Sequence, residues 1–110
     1  MEKLNLTNNQ IKDINVFERI KFKELKILEL SYNEISDIEV LEKTELSKLE
    51  YLSLSRNKIS DINVLEKIQF NELKQINLGD NEISDLKVLK NPKFKNVKII
   101  LDGNKNNKRY

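Results

Sequence analysis

The chain repeats one pattern at a fixed interval of 24 residues. Asparagine recurs at this interval at Asn9, Asn33, Asn57 and Asn81, and aspartate recurs at Asp13, Asp37, Asp61 and Asp85. The strings around three of the asparagines are LKILELSYNEI (residues 25–35), LEYLSLSRNKI (49–59) and LKQINLGDNEI (73–83). A fixed period of this length predicts a solenoid, in which each repeat is one structural unit stacked on its neighbours.

The period also divides the chain into units. We predict one solenoid over residues 1–104, followed by a polar tail over 105–110. Its repeats are 1–24, 25–48, 49–72, 73–95 and a partial unit over 96–104. Asn104 follows Asn81 by 23 residues rather than 24, so the fourth turn is expected to be shorter. Pro92 lies inside that turn and disfavours the α conformation at Asn91.

Each repeat contains two segments with different hydrophobic patterns. The L-x-L segment alternates, which predicts a short strand with its leucines pointing inward, and successive strands would form a parallel sheet. The segment after the aspartate reads DIEVLEK, DINVLEK or DLKVLK. Its short apolar spacing predicts a turn of α or 3₁₀ helix on the opposite side of the coil.

Composition excludes several classes of function. The sequence has no Cys and no His, which removes thiolate chemistry and the commonest general base and metal ligand. Lys and Arg number 20 against 18 Asp and Glu, and the two signs are interleaved, so no nucleic-acid stripe is expected. No apolar run could span a membrane, and the start carries no signal-peptide pattern. We expect a cytoplasmic protein that is not an enzyme and holds no cofactor or metal.

The two polar columns have structural interpretations. An inward asparagine can satisfy backbone groups where a strand turns away, which predicts a ladder at Asn9, Asn33, Asn57, Asn81 and Asn104. Aspartate is a favoured helix N-cap, so Asp13, Asp37, Asp61 and Asp85 are predicted to cap the turns that follow them. A calcium-binding row of carboxylates is the alternative for the aspartates, and their Ile and Lys neighbours favour it less.

The pattern LxxLxLxxNxI with its fixed period resembles the leucine-rich repeat family over residues 1–104. The I-S-D-I strings at 35–38 and 59–62 resemble internalin repeats, and the overall form is similar to the phosphatase-1 regulatory-subunit class. The resemblance implies a short, curved α/β solenoid in a right-handed coil. Its parallel sheet would lie on the concave face and its helical or 3₁₀ turns on the convex face, and it would bind partners on the concave face.

Outward positions of the predicted strands are the candidate binding residues. Tyr32, Tyr51 and Arg56 are of types enriched in binding hot spots, and Ile27 is expected beside them. The alternative interpretation is that these are isolated exposed residues of the ordinary kind. The full candidate set on the concave face is Ile27, Glu29, Tyr32, Tyr51, Ser53, Arg56, Gln75 and Asn77.

These patterns favour a non-catalytic module that binds another protein, whose identity the sequence does not specify. Two alternatives remain: an assembly unit that docks through its solenoid ends, and a regulatory subunit of a phosphatase-like enzyme. We expect the N-terminal end of the first coil to be covered by a second copy through self-association, by a partner or by further sequence; a small frayed monomer is the alternative. The apolar residues that the chain's own coils are expected to leave uncovered are Leu4, Leu6, Ile11, Ile14 and Phe17.

Overall fold

The computed structural model of the chain describes residues 1–105; the rest of the predicted tail lies outside the described residues. Five short parallel strands form one sheet in the order β1-β2-β3-β4-β5. The pairing aligns residues one repeat apart, as Ile27 with Tyr51 and Tyr51 with Gln75. The strands are β1 (Lys3–Asn5), β2 (Ile27–Glu29), β3 (Tyr51–Ser53), β4 (Gln75–Asn77) and β5 (Lys98–Ile100). The predicted parallel sheet is therefore confirmed.

All helical segments in the described residues are short 3₁₀ helices, which decides between the two predicted forms of the turn. They are η1 (Asn15–Arg19), η2 (Glu39–Lys43), η3 (Asn63–Lys67), η4 (Lys87–Lys90) and η5 (Pro92–Phe94). The Leu41 N–H donates to the Ile38 carbonyl at 3.0 Å, which is the i→i+3 bond of this helix type. The same bond joins Leu65 to Ile62 at 3.0 Å.

The core is built from columns of the repeat. Both inward positions of each internal strand are buried, and so is the isoleucine two residues after Asn33, Asn57 and Asn81. Burial of each such side chain contributes about 1.5–3 kcal/mol to stability, so the stacked coils supply the driving force that a compact globule would obtain from one core. The strand and isoleucine columns of the internal coils are Leu28, Leu30, Ile35, Leu52, Leu54, Ile59, Ile76, Leu78 and Ile83.

The N-terminal coil is covered more fully than the sequence predicts. Ile14 and Phe17 are only 1% and 3% exposed, so the expectation that they lie uncovered is wrong. Phe17 meets the ring of Phe22 edge-to-face at 5.3 Å between centroids. Leu4 and Leu6, by contrast, pack against the core but stay partly exposed. The partly exposed apolar side chains of this coil are therefore Leu4 and Leu6, on its strand side, and Ile11.

The fourth coil departs from the repeat in a specific way. Asn91 is extended (φ −58°, ψ 132°), as expected before a proline, and Pro92 begins η5. The Asn91 side chain accepts the Lys93 N–H at 3.0 Å. The Lys93 ammonium in turn donates to carbonyls at the end of η3 and just beyond it: Leu65 (3.2 Å), Glu66 (2.7 Å) and Ile68 (2.7 Å). The irregular segment is thereby fastened to the coil before it.

Candidate functional site

Two rows of side chains cross the outer face of the sheet, the side turned away from the core. Parallel pairing puts Ile27, Tyr51 and Gln75 in one row on adjacent strands. Glu29, Ser53 and Asn77 form the second row, two residues further along each strand. Tyr51 is 41% exposed, whereas the other members are half-buried between their neighbours. The structure therefore brings these six predicted site residues together on one face.

A third row lies just beyond the strand ends and has an unusual backbone. Tyr32, Arg56 and Asp80 have φ values of 59°, 55° and 54°, in the left-handed region that L-residues adopt infrequently. The Arg56 guanidinium lies 5.1 Å from the centre of the Tyr32 ring, in cation–π geometry. Its Nε atom is 3.6 Å from Oδ2 of Asp80. Arg56 therefore joins three coils through surface contacts.

Three serines form a hydroxyl cluster in the middle of the face. The Ser55 hydroxyl donates to Ser31 Oγ at 3.0 Å, and the Ser31 and Ser53 hydroxyls are hydrogen-bonded to each other. Ser31 is only 8% exposed, so the cluster is partly sheltered from water. Of these three serines, only Ser53 was among the predicted site residues. Ser31 and Ser55 occupy the same position of neighbouring repeats, two residues after Glu29 and Ser53. This recurrence is the sequence signal that could have predicted them.

The four distinctive residues of the candidate site form two pairs rather than one group. Ile27 and Tyr51 are paired neighbours at the start of their strands. Tyr32 and Arg56 contact each other beyond the strand ends. The serine cluster occupies the positions between the pairs. The surface therefore offers an apolar contact at one side, a cation and a tyrosine at the other, and hydroxyls between them.

The asparagine column makes contacts from each coil to the coil before it. Oδ1 of Asn57 accepts the Ile35 N–H at 3.0 Å, while its Nδ2 donates to the Leu30, Leu54 and Ser55 carbonyls. Equivalent bonds to the preceding coil are made by Asn33, Asn81 and Asn104. Asn9, in the first coil, is exposed, and its amide donates to the Thr7 carbonyl of its own coil at 3.2 Å.

The aspartate column lies one residue earlier than an N-cap. Ile14 and Ile38 occupy the positions before the first helical residues of η1 and η2. Each aspartate accepts the N–H two residues further on, which makes an Asx turn and still occupies the first helical donor. These bonds are Asp13 to Asn15 (2.7 Å), Asp37 to Glu39 (2.9 Å), Asp61 to Asn63 (2.9 Å) and Asp85 to Lys87 (3.0 Å).

Charged side chains alternate in sign from coil to coil at three positions of the repeat. The columns are Glu2, Lys26, Glu50 and Lys74; then Glu34, Lys58 and Glu82; then Glu24, Lys48 and Glu72. Ion pairs one repeat apart result, at 3.0 Å for Lys48–Glu24, 3.2 Å for Lys74–Glu50 and 3.9 Å for Lys58–Glu34. The hydrogen bond from Lys48 lowers the pKa of Glu24, and Glu24 raises the pKa of Lys48.

Other kinds of site find little support in this part of the chain. Over residues 1–105, no three Asp or Glu side chains gather in a group suited to holding a metal ion. Within the same residues, no helix has the length and apolar character needed to cross a membrane. Partial burial lowers the pKa of Lys93, but its ammonium is already held by backbone carbonyls.

The comparisons with known proteins agree with this architecture. A family model described as "Leucine Rich repeats (2 copies)" matches residues 1–43, 23–67 and 47–91. The chain therefore belongs to the leucine-rich repeat family, and the resemblance inferred from its motifs is confirmed. Proteins of this family commonly bind other proteins. A search of curated proteins finds no match.

Solved structures of internalins are similar to this chain. An internalin (inlF) from Listeria monocytogenes is 30% identical, with a TM-score of 0.77 over 94% of this chain and 29% of that one. An internalin C2 (inlC2) from the same species is 28% identical, with a TM-score of 0.81 over 98% of this chain and 45% of that one. The chain thus spans less than half the length of these structures.

Proposed function

We propose that the chain is a non-catalytic module that captures another protein on the outer, concave face of its sheet. The observation that carries the proposal is the position of its exposed aromatic side chains. Four large hydrophobic residues are well exposed among residues 1–105: Met1, Val16, Tyr32 and Tyr51. Both tyrosines lie on or beside the sheet face, on neighbouring coils, and tyrosine is enriched at binding hot spots.

The rigidity of the face supports the same proposal. Ser31, Ser53 and Ser55 are fixed by their mutual hydrogen bonds, and Arg56 is held between Tyr32 and Asp80. Side chains that are ordered before binding lose less entropy when a partner arrives. A paired sheet also keeps the spacing between its rows fixed, so the surface can recognise a partner without rearranging.

Substitution of Tyr51 tests the proposal. Tyr51→Ala should weaken capture of the partner by about 2 kcal/mol or more, as expected for a hot-spot aromatic residue. Its melting temperature should change little, because the ring is exposed and points away from the core. Partners are to be captured from the native source with the immobilised chain and quantified by mass spectrometry for each variant.

Matched controls lie on the opposite side of the coil. Lys43 and Lys67 end η2 and η3, so Lys43→Ala and Lys67→Ala should leave capture unchanged. Loss of the same partners with these two changes, together with full capture by Tyr51→Ala, would place binding on the convex side and contradict the proposal.

Docking through the end of the stack is a second candidate. Strand β1 forms one edge of the sheet, and Leu4, Leu6 and Ile11 beside it are partly exposed. Partly exposed apolar residues beside this edge strand favour contact with a second copy or with another protein. Light scattering over a concentration series checks this. A monodisperse monomer at high concentration, with residues 1–20 protected from hydrogen exchange, contradicts it.

A further inference from the structure

The end of the stack opposite β1 has a charge pattern unlike the rest of the chain. The stretch 86–101 contains five lysines and neither Asp nor Glu. Four of these lysines are exposed, whereas Lys93 is committed to carbonyls of the third coil. The exposed four are Lys87, Lys90, Lys95 and Lys98. Elsewhere the two signs are interleaved, so this end is locally basic although the whole chain is nearly neutral.

These lysines also lack the pairing found elsewhere. Lys48, Lys58 and Lys74 form ion pairs with carboxylates of the preceding coil. Within residues 1–105, none of the four exposed lysines at this end forms an ion pair. Their charges are therefore available to an anionic partner, with no internal carboxylate to displace.

An apolar groove lies beside two of these lysines, Lys90 and Lys95. Its volume is about 640 Å³, and the residues that line it are Leu89, Lys90, Asn91, Pro92, Phe94, Lys95 and Val97. This is within the range of roughly 300–1,000 Å³ that binding pockets occupy. Leu89 and Phe94 are each 4% exposed, so they form the floor rather than projecting outward. We call this feature the C-terminal groove.

The groove is preorganised by the irregular segment that forms it. Lys93 fastens η5 to the carbonyls at the end of η3, and Asn91 accepts the Lys93 N–H. These contacts hold Pro92 and Phe94 in place, on either side of Lys93. The family match ends at residue 91, so most of this surface lies outside the repeats that the family model describes.

We infer that the C-terminal groove binds an acidic polypeptide segment of a partner, with apolar side chains in the groove and carboxylates against the surrounding lysines. Charge complementarity selects an anion, and the apolar walls select side chains that accompany it. A nucleic acid fits less well, because the groove has no exposed aromatic ring on which a base could stack. A membrane fits less well, because no large apolar side chain projects here for insertion.

Titration of the isotope-labelled full chain with a synthetic peptide tests the inference. The probe is a short peptide of glutamates interspersed with leucines, and its matched control has glutamine in place of every glutamate. We expect amide shift changes concentrated at residues 87–98 with the acidic peptide only. Binding should weaken steeply with added salt, because screening shortens the reach of surface charges to about 10 Å at 0.1 M.

Reversing the charge of two lysines tests whether the peptide binds at the C-terminal groove. Lys90→Glu/Lys95→Glu should weaken peptide binding by at least about tenfold, the effect expected from losing two surface ion pairs and introducing repulsion. Lys3→Glu/Lys21→Glu, in the first coil, makes the same change in net charge and should bind as the parent does. Tyr51→Ala should also bind the peptide normally, so failure here is distinct from failure of the proposed sheet-face function.

Several results would overturn the inference. These are an absence of shift changes with the acidic peptide, equal binding of the glutamine peptide, or equal weakening by the control reversal. The inference would also be overturned if these lysines bound single-stranded RNA or phosphatidylglycerol vesicles more tightly than the acidic peptide; the partner would then be a nucleic acid or a membrane.

Discussion

At the scale of single residues, the asparagine column shows how one side chain can serve two coils. Asn57 is only 8% exposed, and its amide pairs with backbone groups of the second and third coils. These groups lie where the strand has ended, so the sheet offers them no partner of its own. A hydrophobic residue of similar size would fill the space but leave buried donors and acceptors unpaired.

Replacing Asn57 by leucine should therefore destabilise the chain. The expected loss is about 1–3 kcal/mol for each buried backbone group left unpaired, so the free energy of unfolding should fall by at least that amount. Denaturant unfolding measures it. Asn9→Leu is the matched control, because Asn9 is exposed and its side-chain amide donates to the Thr7 carbonyl of its own coil. Equal losses for the two variants would contradict the proposed role of the column.

The aspartate column leads to a graded prediction. Oδ1 of Asp61 accepts the Asn63 N–H at 2.9 Å, a bond that an asparagine oxygen can also accept. Asp61→Asn should therefore leave the melting temperature almost unchanged, while Asp61→Ala should cost about 0.5–2 kcal/mol. Calcium should not shift the melting curve of the parent. A calcium-dependent shift that disappears in Asp37→Asn/Asp61→Asn would support the alternative interpretation as a metal-binding row.

At the scale of elements, the 3₁₀ helices are uniform until the fourth coil, where η5 is added. Lys93 contacts the third coil from this added helix, and its ammonium donates to carbonyls at the end of η3 and just beyond it. The ammonium also lies 5.7 Å from the ring centre of Phe94. One long side chain thus fixes an irregular helix against a regular one.

Lys93→Met tests this fastening, because methionine keeps the apolar stem and removes the ammonium. The free energy of unfolding should fall by about 1–2 kcal/mol, as expected for losing charge-assisted hydrogen bonds at a partly exposed site. Amide hydrogen exchange should rise most over residues 91–97. Lys90→Met, on η4, is the control and should leave both measurements close to those of the parent. Similar exchange in all three proteins would contradict the role of Lys93.

The elements also show what could be predicted from the sequence and what could not. The sheet register and the outward rows of Ile27, Tyr51 and Gln75 follow directly from a period-two pattern inside a constant repeat. The repeat places Tyr32 and Arg56 at the same position of neighbouring coils, but their left-handed backbone was not predicted from the sequence. Lys93 and its carbonyl partners are 25–28 residues apart in the sequence, and Lys93 lies in a segment that departs from the repeat. The repeat pattern therefore could not predict these contacts.

At the scale of the whole molecule, the alternation between acidic and basic residues divides the coils into two types, which carry opposite charges at the same positions. At the first two of these positions, the second and fourth coils carry the same signs, and the third coil carries the opposite ones. Each contact between neighbouring coils therefore joins unlike types. A second copy of residues 49–72 inserted after residue 72 would place two coils of one type in contact. Glu50, Lys58 and Glu72 would then each face their own duplicate.

This arrangement predicts opposite responses to salt. Sodium chloride should raise the melting temperature of the chain with 49–72 duplicated, because screening relieves the repulsion between like charges. A chain in which 25–72 is duplicated keeps unlike types in contact throughout, and salt should lower its melting temperature slightly, as in the parent. Thermal unfolding in low and high salt measures the difference. The same direction of change in all three chains would show that the alternation has no energetic effect.

The charge alternation limits how the number of coils in such a chain can change. A solenoid made of identical repeats can gain or lose any number of coils, since every junction is equivalent. Here the charges alternate, as in Lys26, Glu50 and Lys74, so the charge pattern repeats only every two coils. The unit that can be inserted without bringing like charges together is therefore 48 residues long, twice the sequence period. Internal insertions or deletions of coils therefore keep these alternating ion pairs only in even steps, so the surface charges give the molecule a parity that its hydrophobic core does not have.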